Sequence, residues 1–234
     1  MRTLLWLIVG AGSCGIWAQQ APRSTPKRPH PVWFSSRLKA STQAELGRRL
    51  NSPFPEGAEH PAGVNNCAEW LAKGTGAVGG EAAGPDAQAQ KTSLAECLVL
   101  RALRDATAAR LSSVADLKWD EGALAVLPPE LAINVSDESI GAAKAASVRG
   151  QSWAELDRGA AASAGGQDQI LVKGDGFSEK LILWGRGDFD RDGRQDLLVQ
   201  TLDTLTEGSY RNIRLFVLTR KTAKARLSVV KELL

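Results

Sequence analysis

Four aspartates crowd into one short stretch, Asp188-Phe189-Asp190-Arg191-Asp192-Gly193-Arg194-Gln195-Asp196, and the apolar run Leu197-Leu198-Val199 follows at once. Carboxylates this close repel one another unless a cation neutralises them. Gly193 stands where the chain must turn sharply, and a glycine makes such a turn at no steric cost. The apolar run reads as a strand, so the stretch is a tight loop feeding a sheet. Calcium is a hard cation that takes six to eight oxygen ligands; Asp at loop positions 1, 3, 5 and 9, with a backbone carbonyl at position 7, wraps most of that shell. An EF-hand would place a bidentate Glu at position 12, where this chain has Val199 inside the strand. The EF-hand is therefore excluded, and the bland alternative is an acidic hairpin turn without an ion.

The spacing D-x-D-x-D-G-x-x-D-L-L-V resembles the calcium loops of FG-GAP and related integrin-type propeller repeats, and those of thrombospondin type 3 repeats. The resemblance implies side-chain ligation by Asp188, Asp190, Asp192 and Asp196, and backbone ligation by the Arg194 carbonyl. It also implies a loop that joins two strands. The match covers only this loop, and no second copy occurs in the 234 residues. A propeller, which needs about four or more blades, is not implied.

The N-terminus speaks to location. Met1-Arg2, the apolar Leu4-Leu5-Trp6-Leu7-Ile8-Val9 and a small-residue stretch ending at Ala18 form the three regions of a secretory signal peptide. Cleavage after Ala18 is expected, with a lipoprotein cut before Cys14 as the alternative. Gly10 to Gly15 matches G-x-G-x-x-G, but a dinucleotide fold needs a following helix and an acidic residue about 20 positions on. The chain instead runs into Gln19-Gln20-Ala21-Pro22 and meets no acid before Glu45. The apolar segment is also short of the ~20 residues that span a bilayer, so no transmembrane span is expected after signal removal.

With 29 Lys and Arg against 26 Asp and Glu, the chain lacks the dominant basic charge of a nucleic-acid binder. Cys14 leaves with the signal, and Cys67 and Cys97 remain as an even pair in an exported chain. One disulfide is expected, closing a loop of ~30 residues and contributing on the order of 3 kcal/mol. Two buried free thiols are the alternative.

Residues 19–36 are proline-rich and basic, a linker composition. Residues 37–160 read as a helical region. Thr42-x-x-Glu45, Ser93-x-x-Glu96 and Ser152-x-x-Glu155 are capping boxes, and the second opens a helix through Leu94, Cys97, Leu98, Leu103 and Ala106, with the cysteine on its apolar face. A second G-x-G-x-x-G, at Gly74 to Gly79, follows a helix rather than a strand and reads as a flexible loop. Gly159 to Gly166 reads as a small-residue linker. From residue 168 to 234 the period changes: Ile170-Leu171-Val172, Leu181 to Trp184, Leu197 to Val199, Ile213 to Leu218 and Leu227 to Val230 are short apolar runs between Gly, Asp and Lys clusters. The expected fold is α+β, a helical N-terminal half packed on a C-terminal antiparallel β-meander, with the strand at Ile213 to Leu218 covered on both faces.

Catalytic constellations are scarce. The chain has 2 histidines, His30 in the linker and His60 before Pro61, and neither is placed to serve a nucleophile. Carboxylate pairs such as Asp137 with Glu138, or Asp203 with Glu207, read as solvated faces rather than an acid and its base. The reading favours an exported, calcium-binding interaction module, periplasmic or secreted, whose partner is another envelope or extracellular protein; an inhibitor or immunity-type protein of the bacterial envelope is one such module. The alternative is a calcium-dependent hydrolase acting on carbohydrate or peptidoglycan.

Overall fold

The computed structural model describes residues 29–38, 42–50, 64–73 and 85–234. The expected signal segment, most of the expected proline-rich linker, His60 and both G-x-G-x-x-G matches lie outside them. Strand β1 (Trp33–Phe34) is followed by helices α1 (Thr42–Gly47), α2 (Cys67–Ala72) and α3 (Pro85–Asp105). Two single 3-10 turns at Glu121–Ala125 and Pro129–Leu131 lead to α4 (Asp137–Val148) and α5 (Trp153–Leu156). Six strands complete the chain: β2 (Ala161–Gly166), β3 (Gln169–Gly174), β4 (Phe177–Gly187), β5 (Asp196–Leu205), β6 (Arg211–Thr219) and β7 (Ser228–Glu232). The fold is mixed α+β, with a seven-stranded antiparallel sheet in the order β2-β3-β4-β5-β6-β7 and β1 beside β4. Sequence neighbours pair throughout the meander.

Helices cover both faces of this sheet, because β5 and β6 are apolar on both sides. On one face Leu181, Leu183, Leu197, Val199, Phe216 and Leu218 pack with Leu124 and Leu131 of the 3-10 turns, Leu127 between them, and Trp153 of α5. On the other, Leu198, Leu215 and Val217 meet Leu94, Leu98 and Leu103 of α3, with Trp70 of α2 behind. The described residues of the 37–160 stretch therefore lie on both faces of the sheet. The Cys67 and Cys97 sulfurs lie at disulfide distance, 2.09 Å, and join the first residue of α2 to the middle of α3 inside the second core.

Two local expectations differ from the structure. Helix α3 begins at Pro85, not at Ser93; proline is pre-organised for a first helical turn, and Ser93 is buried within the helix. Glu96 then turns outward to pair with Arg48. The expected linker at 159–166 contains strand β2, paired with β3 from Ala161↔Lys173 to Gly166↔Gln169. An exposed edge strand of Ala, Ser and Gly has no apolar alternation to announce it. At Gly185 the strand β4 bulges and touches its neighbours closely: a Cβ there would lie 2.6 Å from Leu103 Cδ2 and 2.9 Å from the Trp33 carbonyl oxygen.

Candidate metal centre

Strand β4 ends at Gly187 and β5 begins at Asp196, so the acidic loop is the turn of the β4–β5 hairpin. Its backbone is held from outside by the segment that leaves α3. Thr107 and Asp188 exchange both backbone hydrogen bonds, at 3.1 and 2.9 Å. The Arg110 and Leu111 amides donate to the Gly193 carbonyl at 2.9 and 3.1 Å, and the Gln195 amide donates to the Leu111 carbonyl at 2.8 Å. Gly193 takes φ 84°, where a side chain would be strained, and Arg191 takes φ 69°. The Gln195 side chain locks the same joint, accepting from the Ser112 hydroxyl at 2.8 Å.

Within this frame the carboxylates fold inward and back onto the loop. One Asp188 oxygen, Oδ2, accepts from the Gly193 amide at 2.9 Å, and Asp196 Oδ2 accepts from the Phe189 amide at 3.2 Å. Asp190 Oδ1 accepts from the Asp192 amide at 3.1 Å. The second oxygens of Asp188 and Asp196 are buried and make no hydrogen bond. Asp188 is 5% and Asp196 0% exposed, so neither free oxygen reaches bulk water, and orphaned buried acceptors of this kind are uncommon. Asp188, Asp190 and Asp196 each place a potential ligand oxygen within 4.8 Å of the others. That cluster could hold a metal ion.

Electrostatics agree. Burial pushes the Asp196 carboxyl up to about 7, over the opposing influence of the Thr219 hydroxyl and the Phe189 amide, and Asp190 and Asp192 push it further the same way. Thr219 stands beside it across the β5–β6 ladder without a hydrogen bond of good geometry, its hydroxyl being itself unpaired. Asp190 is also raised, first by burial and then by Asp192 and Asp188. A divalent cation removes both costs by satisfying the oxygens and neutralising their charge.

Of the five expected ligands the structure brings three side chains together. Asp192 stands apart from that group: its Oδ1 accepts from the Arg194 amide at 2.7 Å, and its Oδ2 faces the Arg194 guanidinium at 3.8 Å. The backbone bonds that tie the loop to Leu111 use the Gly193 carbonyl and the Gln195 amide, and neither draws on the Arg194 carbonyl. The anchoring segment 107–111 had no motif, and only the register of the fold places it there.

A second polar cluster lies elsewhere on the sheet. Glu179 and Asp203 are direct cross-strand partners, 0% and 1% exposed. Arg214 Nε donates to Asp203 Oδ2 at 3.1 Å, and its Nη2 lies 3.7 Å from Glu179 Oε1. The same guanidinium donates to the carbonyls of Glu130, Leu131 and Ala132 at 2.8, 2.7 and 3.0 Å. Burial, and after it Asp203, hold the Glu179 carboxyl well above its ordinary range, with Arg214 opposing. Asp203 is thus a core residue, not part of the solvated face expected for it with Glu207. No family model, curated protein or solved structure matches the chain.

Proposed function

We propose that this chain is an exported, calcium-binding interaction module whose β4–β5 hairpin is completed by the ion. The observation that carries the reading is the pair of buried, unpartnered oxygens on Asp188 and Asp196, aimed into the same small cluster as Asp190. Calcium is favoured over softer metals because every donor is a carboxylate oxygen and none is nitrogen or sulfur. The D-x-D-x-D-G spacing supports the same ion. Export is supported by the Met1–Ala18 profile and by a cysteine pair at disulfide distance, since such bonds persist in oxidising compartments. Among the described residues no helix is long and apolar enough to cross a membrane.

Within this class, an inhibitor or immunity-type protein that blocks an envelope-directed toxin or hydrolase suits an exported chain of this size. The hydrolase alternative needs two carboxylates facing a cleft. Glu179 and Asp203, direct partners across the sheet, are instead sealed in the core, and Asp105, which shares a cleft with Asp190, is paired with Arg104. The test is a pull-down from an envelope extract with the full exported protein, in calcium and in chelator. A partner retained only in calcium supports the module, and hydrolysis of peptidoglycan or polysaccharide by the purified protein would contradict it. N-terminal sequencing of the exported protein should begin at Gln19, whereas an intact Met1 would contradict export.

A further inference from the structure

Asp190 differs from the other two aspartates of the cluster in being exposed, and it lines a cleft of about 680 Å³ between α3, the acidic loop and β7. The remaining charged walls are mostly cationic: Arg101 from α3, Arg191 from the loop and Lys231 from β7. Among the described residues none of these three makes an ion pair. Asp105, the other acid at the cleft, is held by Arg104 at 2.7 Å, and Arg101 and Arg191 act on it only through longer-range attraction. The floor is apolar, with Phe189, Val217 and Leu233.

We propose that this cleft binds an anionic oxygen group, a carboxylate or a phosphate ester, which completes the coordination of the ion at Asp190 and is held by Arg101, Arg191 and Lys231. The inference rests on the calcium reading above. Calcium takes six to eight oxygens in a flexible geometry, and three carboxylates supply only part of that shell. Asp188 and Asp196 are buried and Asp190 is exposed, and of the three only Asp190 lines the cleft, so an open coordination position would lie on its side. The two positive charges of the ion add to the three unpaired cations and exceed the acids present, leaving a local excess of positive charge in a partly enclosed space. Fields in such a cleft are focused, and an oxyanion is the complement. The apolar floor suits the carbon skeleton that bears the anion.

The experiment uses the full exported chain. Calcium is first titrated alone by calorimetry. D-glucuronate and glycerol 3-phosphate are then titrated into calcium-loaded protein and into protein in chelator, with D-glucose as the neutral control. The expected result is binding of at least one anionic probe that is about tenfold tighter or more with calcium, and no binding of glucose. Preference for the uronate identifies an acidic sugar as the source, and preference for the ester a phosphorylated ligand. The double variant Arg101→Gln with Lys231→Gln should weaken the probe by about tenfold while the calcium titration stays unchanged. Calcium binding with no anion binding at millimolar probe, or anion binding that is equal in chelator, overturns this inference alone. Failure of the calcium titration itself overturns the calcium reading and this one with it.

Discussion

Asp188 and Asp196 each give one oxygen to a loop amide and leave the other buried without a partner, which sets the order of mutational effects. Asp196→Asn keeps the shape and hydrogen-bonding oxygen but removes the charge, and should abolish the rise in melting temperature that calcium produces. Asp192→Ala, whose carboxylate bonds to Arg194, should weaken calcium less; equal losses in the two titrations would contradict the three-carboxylate site. Glu179 offers an independent check. Its folded-state carboxyl is raised by burial, so it holds a proton that the unfolded chain releases above its ordinary range, and stability should fall as pH rises from that range through the folded value. Glu179→Gln removes this slope. Its denaturation midpoint should match wild type near the ordinary carboxylate range and exceed it increasingly toward alkaline pH. Arg214→Met, by contrast, leaves Asp203 buried and uncompensated and should cost about 3–5 kcal/mol in urea unfolding. The aspartates of the loop were legible because they lie within one turn of chain. Glu179, Asp203 and Arg214 are far apart in sequence and meet only through strand register.

Among the elements, those with an apolar pattern were legible and those without one were not. Strands β3 to β7 announced themselves through Ile170, Leu181, Leu197, Ile213 and Leu227, all of them buried. Strand β2 is built of Ala, Ser and Gly and is largely exposed, held by its ladder with β3 rather than by side-chain burial. The start of α3 was misplaced because Ser93-x-x-Glu96 has the form of a capping box, while the helix had already begun at Pro85; spacing alone does not tell a cap from an interior turn. The cysteine pair was legible from its parity and from the export expected of the N-terminus. It ties α2 to α3 across a separation of 30 residues. Replacing both cysteines with serine should lower the stability of the folded chain by about 3 kcal/mol, measured by urea unfolding of the variant and the oxidised wild type. A change under about 0.5 kcal/mol would show that the α2–α3 contact holds without the bond.

Taken whole, the described residues form a sheet packed on both faces, and the acidic hairpin closes its two central strands. Its backbone is bonded to residues 107–111 just beyond α3, while β4 and β5, which it joins, run through the middle of the sheet. An ion bound at this turn would therefore brace the central hairpin and its junction with the chain leaving α3. Division of the helices around the sheet was only partly legible: two-sided burial of β6 was written in Ile213 to Leu218, but which helices lie on which face depends on long-range packing. A ligand bound by the folded state alone stabilises it by RT ln(1 + [L]/Kd), about 2.7 kcal/mol at a hundredfold excess over Kd. For a chain of this size that corresponds to a rise in melting temperature of roughly 5–10 °C. The most direct measurement is thermal unfolding of the protein in chelator and in millimolar calcium, paired with a calorimetric calcium titration. One bound calcium and a rise of that size, both lost in Asp196→Asn, is the expected result; no heat of binding and no shift at millimolar calcium would contradict a metal centre in the β4–β5 hairpin.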